Sequence, residues 1–167
     1  MSITKLYASK NSYGNTRDKN TVKAIVIHNT GNKGDTAKNN ALYFRNTNTR
    51  LAGAHLFIDR SGEIYKSVPY GKTAYSVGGA KWHNDGGQYY GVYGNSNTVS
   101  IELCDIVDKY PSKEQIAALK KAIKNVRKKC PNAKKVIRHY DVNGKTCPLY
   151  FVDDKRWNKL LKAIGEK

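Results

Sequence analysis

The sequence predicts an α/β fold: a mixed, mainly central β-sheet covered by helices, within one domain. Three observations predict it. Residues 22–28 (VKAIVIH) are β-branched and nearly continuously apolar, the composition of a strand buried on both faces. Residues 98–103 (TVSIEL) alternate in the manner of a strand with one face on the core. Residues 112–130 and 153–164 carry apolar side chains at helical spacing, so helices alternate with strands.

In chain order, residues 1–20 are polar, rich in Asn, Ser and Lys, and read as an irregular lead-in. Residues 35–47 form a helix, with Asp35 in the N-cap position and Ala41, Leu42, Phe44 and Arg45 on its inner side and edge. Residues 55–59 (HLFID) and 63–68 (EIYKSV) flank Arg60, Ser61 and Gly62, the pattern of a short hairpin. Residues 70–97 are punctuated by glycines among Tyr, Trp82 and His83, with little periodicity. A loop this long inside a compact domain is usually functional and lines a binding cleft. Ser112 and Gln115 stand at capping-box spacing. Ile116, Leu119, Ile123, Val126 and Cys130 then make one apolar stripe. Residues 134–139 (KKVIRH) read as a last strand, and Trp157, Leu160, Leu161 and Ile164 face inward from a last helix.

Composition narrows the class. The chain has 167 residues, and 30 Lys+Arg against 13 Asp+Glu give a net charge of +17. That length suits one domain of residues 1–167, with no separate binding domain visible. Twelve Tyr, two Trp and three Phe supply bulky core material that disordered chains lack. No apolar run approaches the roughly 20 residues of a membrane span, so no membrane partner is expected. Residues 1–5 (MSITK) have no apolar h-region, so no cleaved signal peptide is expected either. The positive surplus favours a polyanionic partner. Nine Lys/Arg between 113 and 135 face only Glu114, but no nucleic-acid-binding signature accompanies them. No specific nucleic acid is expected. The cysteines number three, an odd count that disfavours a disulfide framework. Cys104 and Cys130 read as packing residues.

His28 ends the first buried strand, His139 ends the last, and Cys147 follows His139 by eight residues. Side chains at strand ends converge at one edge of a sheet. Two imidazoles and a thiolate are ligands that Zn²⁺ prefers, and three protein ligands leave a fourth position open, the catalytic pattern. The same residues also fit hydrogen-bonded structural histidines and a packed thiol. His55 starts an apolar strand and suits a satisfied half-buried histidine or a residue that joins His28. Trp82 and His83 suit substrate contact or plain exposure.

Five segments carry a resemblance: residues 24–30 (AIVIHNT), 53–59 (GAHLFID), 97–104 (NTVSIELC), 138–142 (RHYDV) and 145–148 (KTCP). In this order they resemble the phage-type N-acetylmuramoyl-L-alanine amidases, the zinc amidase family that includes the peptidoglycan-recognition proteins. The resemblance runs from about Val22 to the C-terminus. It implies a peptidoglycan-recognition-protein-like domain with one Zn²⁺ per chain, held by His28, His139 and Cys147. It further implies that Glu102 transfers the proton and that Lys145 stabilises the oxyanion as the amide between N-acetylmuramic acid and L-alanine is cut. Ala54 stands where other members place a catalytic tyrosine, which shifts the proton-transfer role to Glu102. Tyr75 stands near where many relatives have a cleft tryptophan. Tyr75, Trp82, His83 and His55 are thus the candidate substrate contacts. The family setting implies an endolysin, monomeric, kept in the host cytoplasm until lysis. Its partner is then the Gram-positive wall with its anionic teichoic polymers. The alternative is a peptidoglycan-binding module that does not cut; such relatives lack the cysteine ligand, and Cys147 is present.

Overall fold

The structure is a computed structural model that describes residues 2–78, 81 and 87–166. Six strands form one mixed sheet in the order β1–β5–β4–β7–β3–β8. They are β1 (Ile3–Lys5), β3 (Ala24–Asn29), β4 (Leu56–Ile58), β5 (Ile64–Lys66), β7 (Thr98–Leu103) and β8 (Lys135–Arg138). A separate pair joins β2 (Tyr13–Thr16) to β6 (Lys72–Ala74). The strands β4, β7, β3 and β8 run parallel, and β5 turns back antiparallel against β4. The hairpin expected between 55 and 68 is that turn. Asp59 closes it, accepting from the backbone N–H groups of Ser61 and Glu63.

Helices cover both faces. On one, α2 (Lys113–Lys129) and α4 (Asp154–Ile164) pack Leu119, Ile123, Val126, Trp157, Leu160 and Ile164 onto alternate residues of the sheet, Ile25, Ile27, Val99, Ile101 and Leu103. On the other, α1 (Ala37–Asn46) lays Ala37 and Ala41 against Phe57 and Ala54. The first buried strand is as apolar as its position demands, since β3 has neighbours on both sides and residues 24–28 are buried. Among the described residues no helix is long and apolar enough to cross a membrane.

Five local expectations need correction. The lead-in is not irregular: β1 extends the sheet by pairing with β5, and β2 pairs with β6. The polar composition hid strands of three and four residues whose pairing partners lie about sixty residues away. Residues 70–97 likewise hold one short strand, β6. Helix α1 is capped by Thr36, whose hydroxyl accepts from the Asn39 N–H, and not by Asp35. The Asp35 carboxylate is taken by the Asn40 side chain and the Asp105 N–H. At α2 only half of the capping box forms. The Ser112 hydroxyl accepts from the Gln115 N–H, while the Gln115 amide is buried and donates to the carbonyls of Ile58 and Cys104. Finally, His139 does not end a strand; it opens a short helix, α3 (His139–Asn143).

Candidate metal centre and active site

Register builds the site. In the parallel pair β3–β7, His28 lies opposite Glu102, and directly opposed residues point to the same face of a sheet. Their neighbours Ile27 and Ile101 belong to the α2 side, so His28 and Glu102 face the α1 side. On the other flank of β3, Ile27 pairs with Arg138. The next residue, His139, therefore arrives beside His28, and their ring centroids are 4.6 Å apart.

The chain then makes a compact return. Helix α3 ends at Gly144, whose φ of 81° is a left-handed conformation that glycine adopts without strain. The Tyr140 N–H donates to the Cys147 carbonyl at 2.7 Å. The Leu149 N–H donates to the Asn29 side chain at 2.9 Å. Cys147 is thereby held against the end of β3, its Sγ 3.8 Å from His28 Nδ1.

Arg138 braces this return from beneath. It is 5% exposed. Its guanidinium donates twice to Asp141 Oδ1, at 2.9 and 2.6 Å, and to the carbonyls of Phe151 and Val152. One buried arginine thus ties the helix bearing His139 to the segment that follows Cys147. Sequence reading missed it. The available signal was the Arg–x–x–Asp spacing in RHYD, which places guanidinium and carboxylate at i, i+3.

The donor set fits a metal ion. Ligand atoms of His28, His139 and Cys147 all lie within 4.8 Å of one another, and all three residues are buried. Tetrahedral zinc with Zn–N of about 2.0 Å and Zn–S of about 2.3 Å separates N from S by roughly 3.5 Å, close to the observed contact. His28 Nε2, both ring nitrogens of His139 and Glu102 Oε2 are buried without a hydrogen-bond partner. Each such orphan costs about 1–3 kcal/mol, and a cation between His28 Nδ1 and Cys147 Sγ removes that cost at the His139 nitrogen that joins it.

The electrostatics of the pocket suit the two histidine donors. Burial first, then the His139 and Lys145 charges, hold His28 well below the usual imidazole range. Burial and Lys145 bring His139 down to about 4. Both rings are neutral at pH 7, the form that ligates a metal. Burial pushes the Cys147 thiol up to about 12 and the Glu102 carboxyl up to about 8. Glu102 Oε1 lies 4.0 Å from His28 Nδ1.

These groups form the floor of an open cleft of about 640 Å³, whose lining includes Lys145 and Tyr75. Helix α1 and the loop after it contribute Asn39, Asn40, Tyr43 and Arg50, polar wall residues that the sequence reading did not single out. Their signal was the polar outer face of an otherwise short helix. The other candidate substrate contacts fare differently. His55 is fully buried. Its Nδ1 is engaged with Ser100, and its Nε2 meets Arg17 and the Lys72 carbonyl; it does not line the cleft. Trp82 and His83 lie outside the described residues. Ala54 is buried beneath α1. All three cysteines are free thiols, with Cys104 and Cys130 packed in the core.

Fold and site together define an α/β protein with a His/His/Cys group, able to hold a metal ion, at the floor of a cleft. The sequence matches the N-acetylmuramoyl-L-alanine amidase family (Amidase_2) over residues 18–149. The chain belongs to that family. The curated relatives include the N-acetylmuramoyl-L-alanine amidase CwlL of Bacillus licheniformis, 29% identical over 141 residues, which covers 80% of this chain and 38% of CwlL. CwlA of Bacillus subtilis (strain 168) is 26% identical over 167 residues, covering 97% of this chain and 56% of CwlA. The chain therefore spans about two fifths to just over half the length of these relatives. Among solved structures, PlyL superposes with a TM-score of 0.78 at 20% identity over 100% of this chain and 98% of PlyL. The catalytic domain of XlyA does so with a TM-score of 0.72 at 25% identity over 99% of this chain and 100% of that domain.

Proposed function

We propose that this chain is a zinc-dependent peptidoglycan hydrolase that cuts the amide between N-acetylmuramic acid and the L-alanine of the stem peptide. The observation that carries the reading is the convergence of His28, His139 and Cys147, with orphaned ring nitrogens, on the floor of a cleft in a chain of this family. Those three residues hold one Zn²⁺. When bound, zinc is a Lewis acid that lowers the pKa of water from about 15.7 to about 7.

The chain's own residues supply the rest. Glu102 Oε2, buried and unpartnered, takes a proton from the attacking water and passes it to the leaving amine. Its elevated pKa in the metal-free pocket suits a group that must hold a proton mid-reaction. Lys145, which lines the cleft and acts electrostatically on both histidines and Glu102, stabilises the negative charge that develops on the carbonyl oxygen. Tyr75 and Tyr43 offer apolar ring faces to the substrate.

The finer setting belongs to the same proposal. The described residues pack around one main sheet, which supports reading 1–167 as a single amidase domain. It acts as a monomeric endolysin, held in the host cytoplasm until lysis. Its excess of cations suits a Gram-positive wall rich in teichoic phosphates.

Digestion of purified peptidoglycan followed by mass spectrometry tests the reaction. The expected products are stems with a free N-terminal alanine, and a chelator suppresses their release. New reducing sugars, or release that ignores the chelator, would overturn the reading. Glu102→Ala tests the proton carrier: turnover falls by about 10²–10⁴-fold while the zinc content stays at one per chain. Undiminished turnover with zinc bound removes Glu102 from the mechanism.

A further inference from the structure

Away from the cleft, one lysine lies over an aromatic ring, with three further lysines from three other elements near it. Lys66, the last residue of β5, is half-buried, with its Nζ 3.4 Å from the centroid of the Tyr70 ring. Lys5, the last residue of β1, is its register partner on the adjacent strand, so both point to the same face. Lys129 ends α2 about one turn beyond Asn125, the partner of the Tyr70 hydroxyl, and Lys19, in the short turn after β2, has its Cε 3.8 Å from where a Cβ on Gly71 would lie. These three cations are the charged neighbours that act on Lys66. Tyr70 is anchored from below, its hydroxyl donating to Asn125 of α2.

This arrangement is costly for the protein alone. Burial, and then repulsion from Lys5, Lys19 and Lys129, bring Lys66 down to about 8. The Cys130 thiol acts in the opposite direction. Among the described residues none of the four lysines joins an ion pair. The carbonyl end of α2 favours nearby cations, but by about 0.3–1 kcal/mol and only over its last turn. That helps Lys129, the Tyr70 ring offsets part of the charge on Lys66, and water solvates the exposed Lys5 and Lys19. A bound anion would compensate all of them.

Sheet register fixes where this patch lies. Lys66 pairs with Leu56, and Leu56 with Ile101, a row on the α2 side. The next row, holding Glu102, points to the α1 side. The lysine patch and the catalytic cleft therefore occupy opposite faces of one sheet.

We propose that Lys5, Lys19, Lys66 and Lys129 form a binding site for the phosphodiester groups of an anionic wall polymer. The site gives the enzyme a second hold on the wall while the cleft engages the glycan; this partner rests on the wall-hydrolase reading above. The patch suits a polymer without bases. Its aromatic, Tyr70, is 2% exposed and carries Lys66 over its ring, so it offers no platform on which a nucleobase could stack.

The test measures binding of zinc-loaded protein to soluble poly(glycerol phosphate) at moderate salt. The double variant Lys66→Met/Lys5→Met is compared with Lys120→Met/Lys124→Met, which removes the same charge from the exposed side of α2. Losing two charge-assisted contacts is expected to weaken binding by about tenfold or more, with the control within about twofold of wild type. Lys5→Met/Lys19→Met, confined to exposed side chains, reads the same site should Lys66→Met disturb folding. Equal losses in cluster and control variants would overturn the proposal, because a diffuse field and not a site would then be responsible. So would duplex DNA binding as tightly as poly(glycerol phosphate) at equal phosphate concentration. Turnover on a small, uncharged muramoyl-L-alanine substrate separates the two readings. It stays at the wild-type level in the cluster variants if both hold; it is absent in the wild type itself if the amidase reading fails, whatever the polymer binding shows.

Discussion

Cys147→Ser is expected to cost at least about a hundredfold in zinc affinity and to abolish turnover on peptidoglycan. A serine hydroxyl fills the same space, so the fold survives; what disappears is the thiolate. Loss of the third donor leaves His28 and His139, and two imidazoles hold zinc far less well than three ligands of mixed type. The metal-free protein should be affected less than the loaded one. Cys147 is buried, and its thiol lies up near 12, so serine replaces a neutral group. A ligand that binds only the folded state stabilises it by about 2.7 kcal/mol at a hundred times its dissociation constant. Thermal unfolding with and without added zinc is the decisive pair of measurements. Wild type gains several degrees with zinc and Cys147→Ser gains none. A serine variant that retains one zinc per chain through gel filtration removes Cys147 from the ligand set.

Arg138→Ala is expected to have the largest effect on stability, about 3 kcal/mol or more. Removing one partner of a buried ion pair leaves the other as an uncompensated buried charge. Here the abandoned groups are the Asp141 carboxylate, 5% exposed, and the carbonyls of Phe151 and Val152. Because Arg138 joins the helix carrying His139 to the segment after Cys147, zinc affinity should fall as well. Positioning groups around metal ligands typically contribute 10–100-fold. Arg138→Lys separates the two roles. Lysine keeps the charge near Asp141 but cannot bridge Asp141 and two carbonyls at once, so it recovers part of the unfolding free energy and little of the zinc affinity. Denaturant unfolding of the metal-free protein, set beside calorimetric zinc titration, reads both. Full zinc affinity in Arg138→Ala would confine Arg138 to the core.

The candidate metal ligands were legible in two steps. A histidine closing an apolar strand, a second eight residues before a Cys–Pro, and an odd cysteine count fit a three-ligand site, and the five segments that resemble the amidase family set that reading above structural histidines and a packed thiol. The long segment 113–129 was legible for a similar reason: it buries one stripe, and periodicity records burial directly. Residues 98–103 alternate in sequence, but the strand lies between β4 and β3 and is buried on both faces. The failures share a physical cause. Strands β1 and β2 have three and four residues, too short for a periodic signal, and exist because β5 and β6 supply their hydrogen bonds. Asp35 lost the N-cap to Thr36 because its carboxylate is engaged by Asn40 and the Asp105 N–H. Gln115 left its capping box half-made because two buried carbonyls, those of Ile58 and Cys104, needed a donor. His55 starts an apolar strand and could join His28, but Arg17, Ser100 and the Lys72 carbonyl occupy its ring instead.

By itself the sequence determined the class of fold, the apolar stripes that cover the sheet, the candidate ligand residues and a charge that seeks anions. These follow from local composition and spacing, which the chain carries wherever it goes. Only the tertiary structure decided that His28 and Glu102 share a face, that His139 and Cys147 return to meet them, and that Arg138 braces the return. It alone set Lys66 over Tyr70, with three further lysines near it, on the opposite side. Strand register is the physical reason: shifting one strand by a single residue sends every side chain to the other face, and register is a property of the assembled sheet.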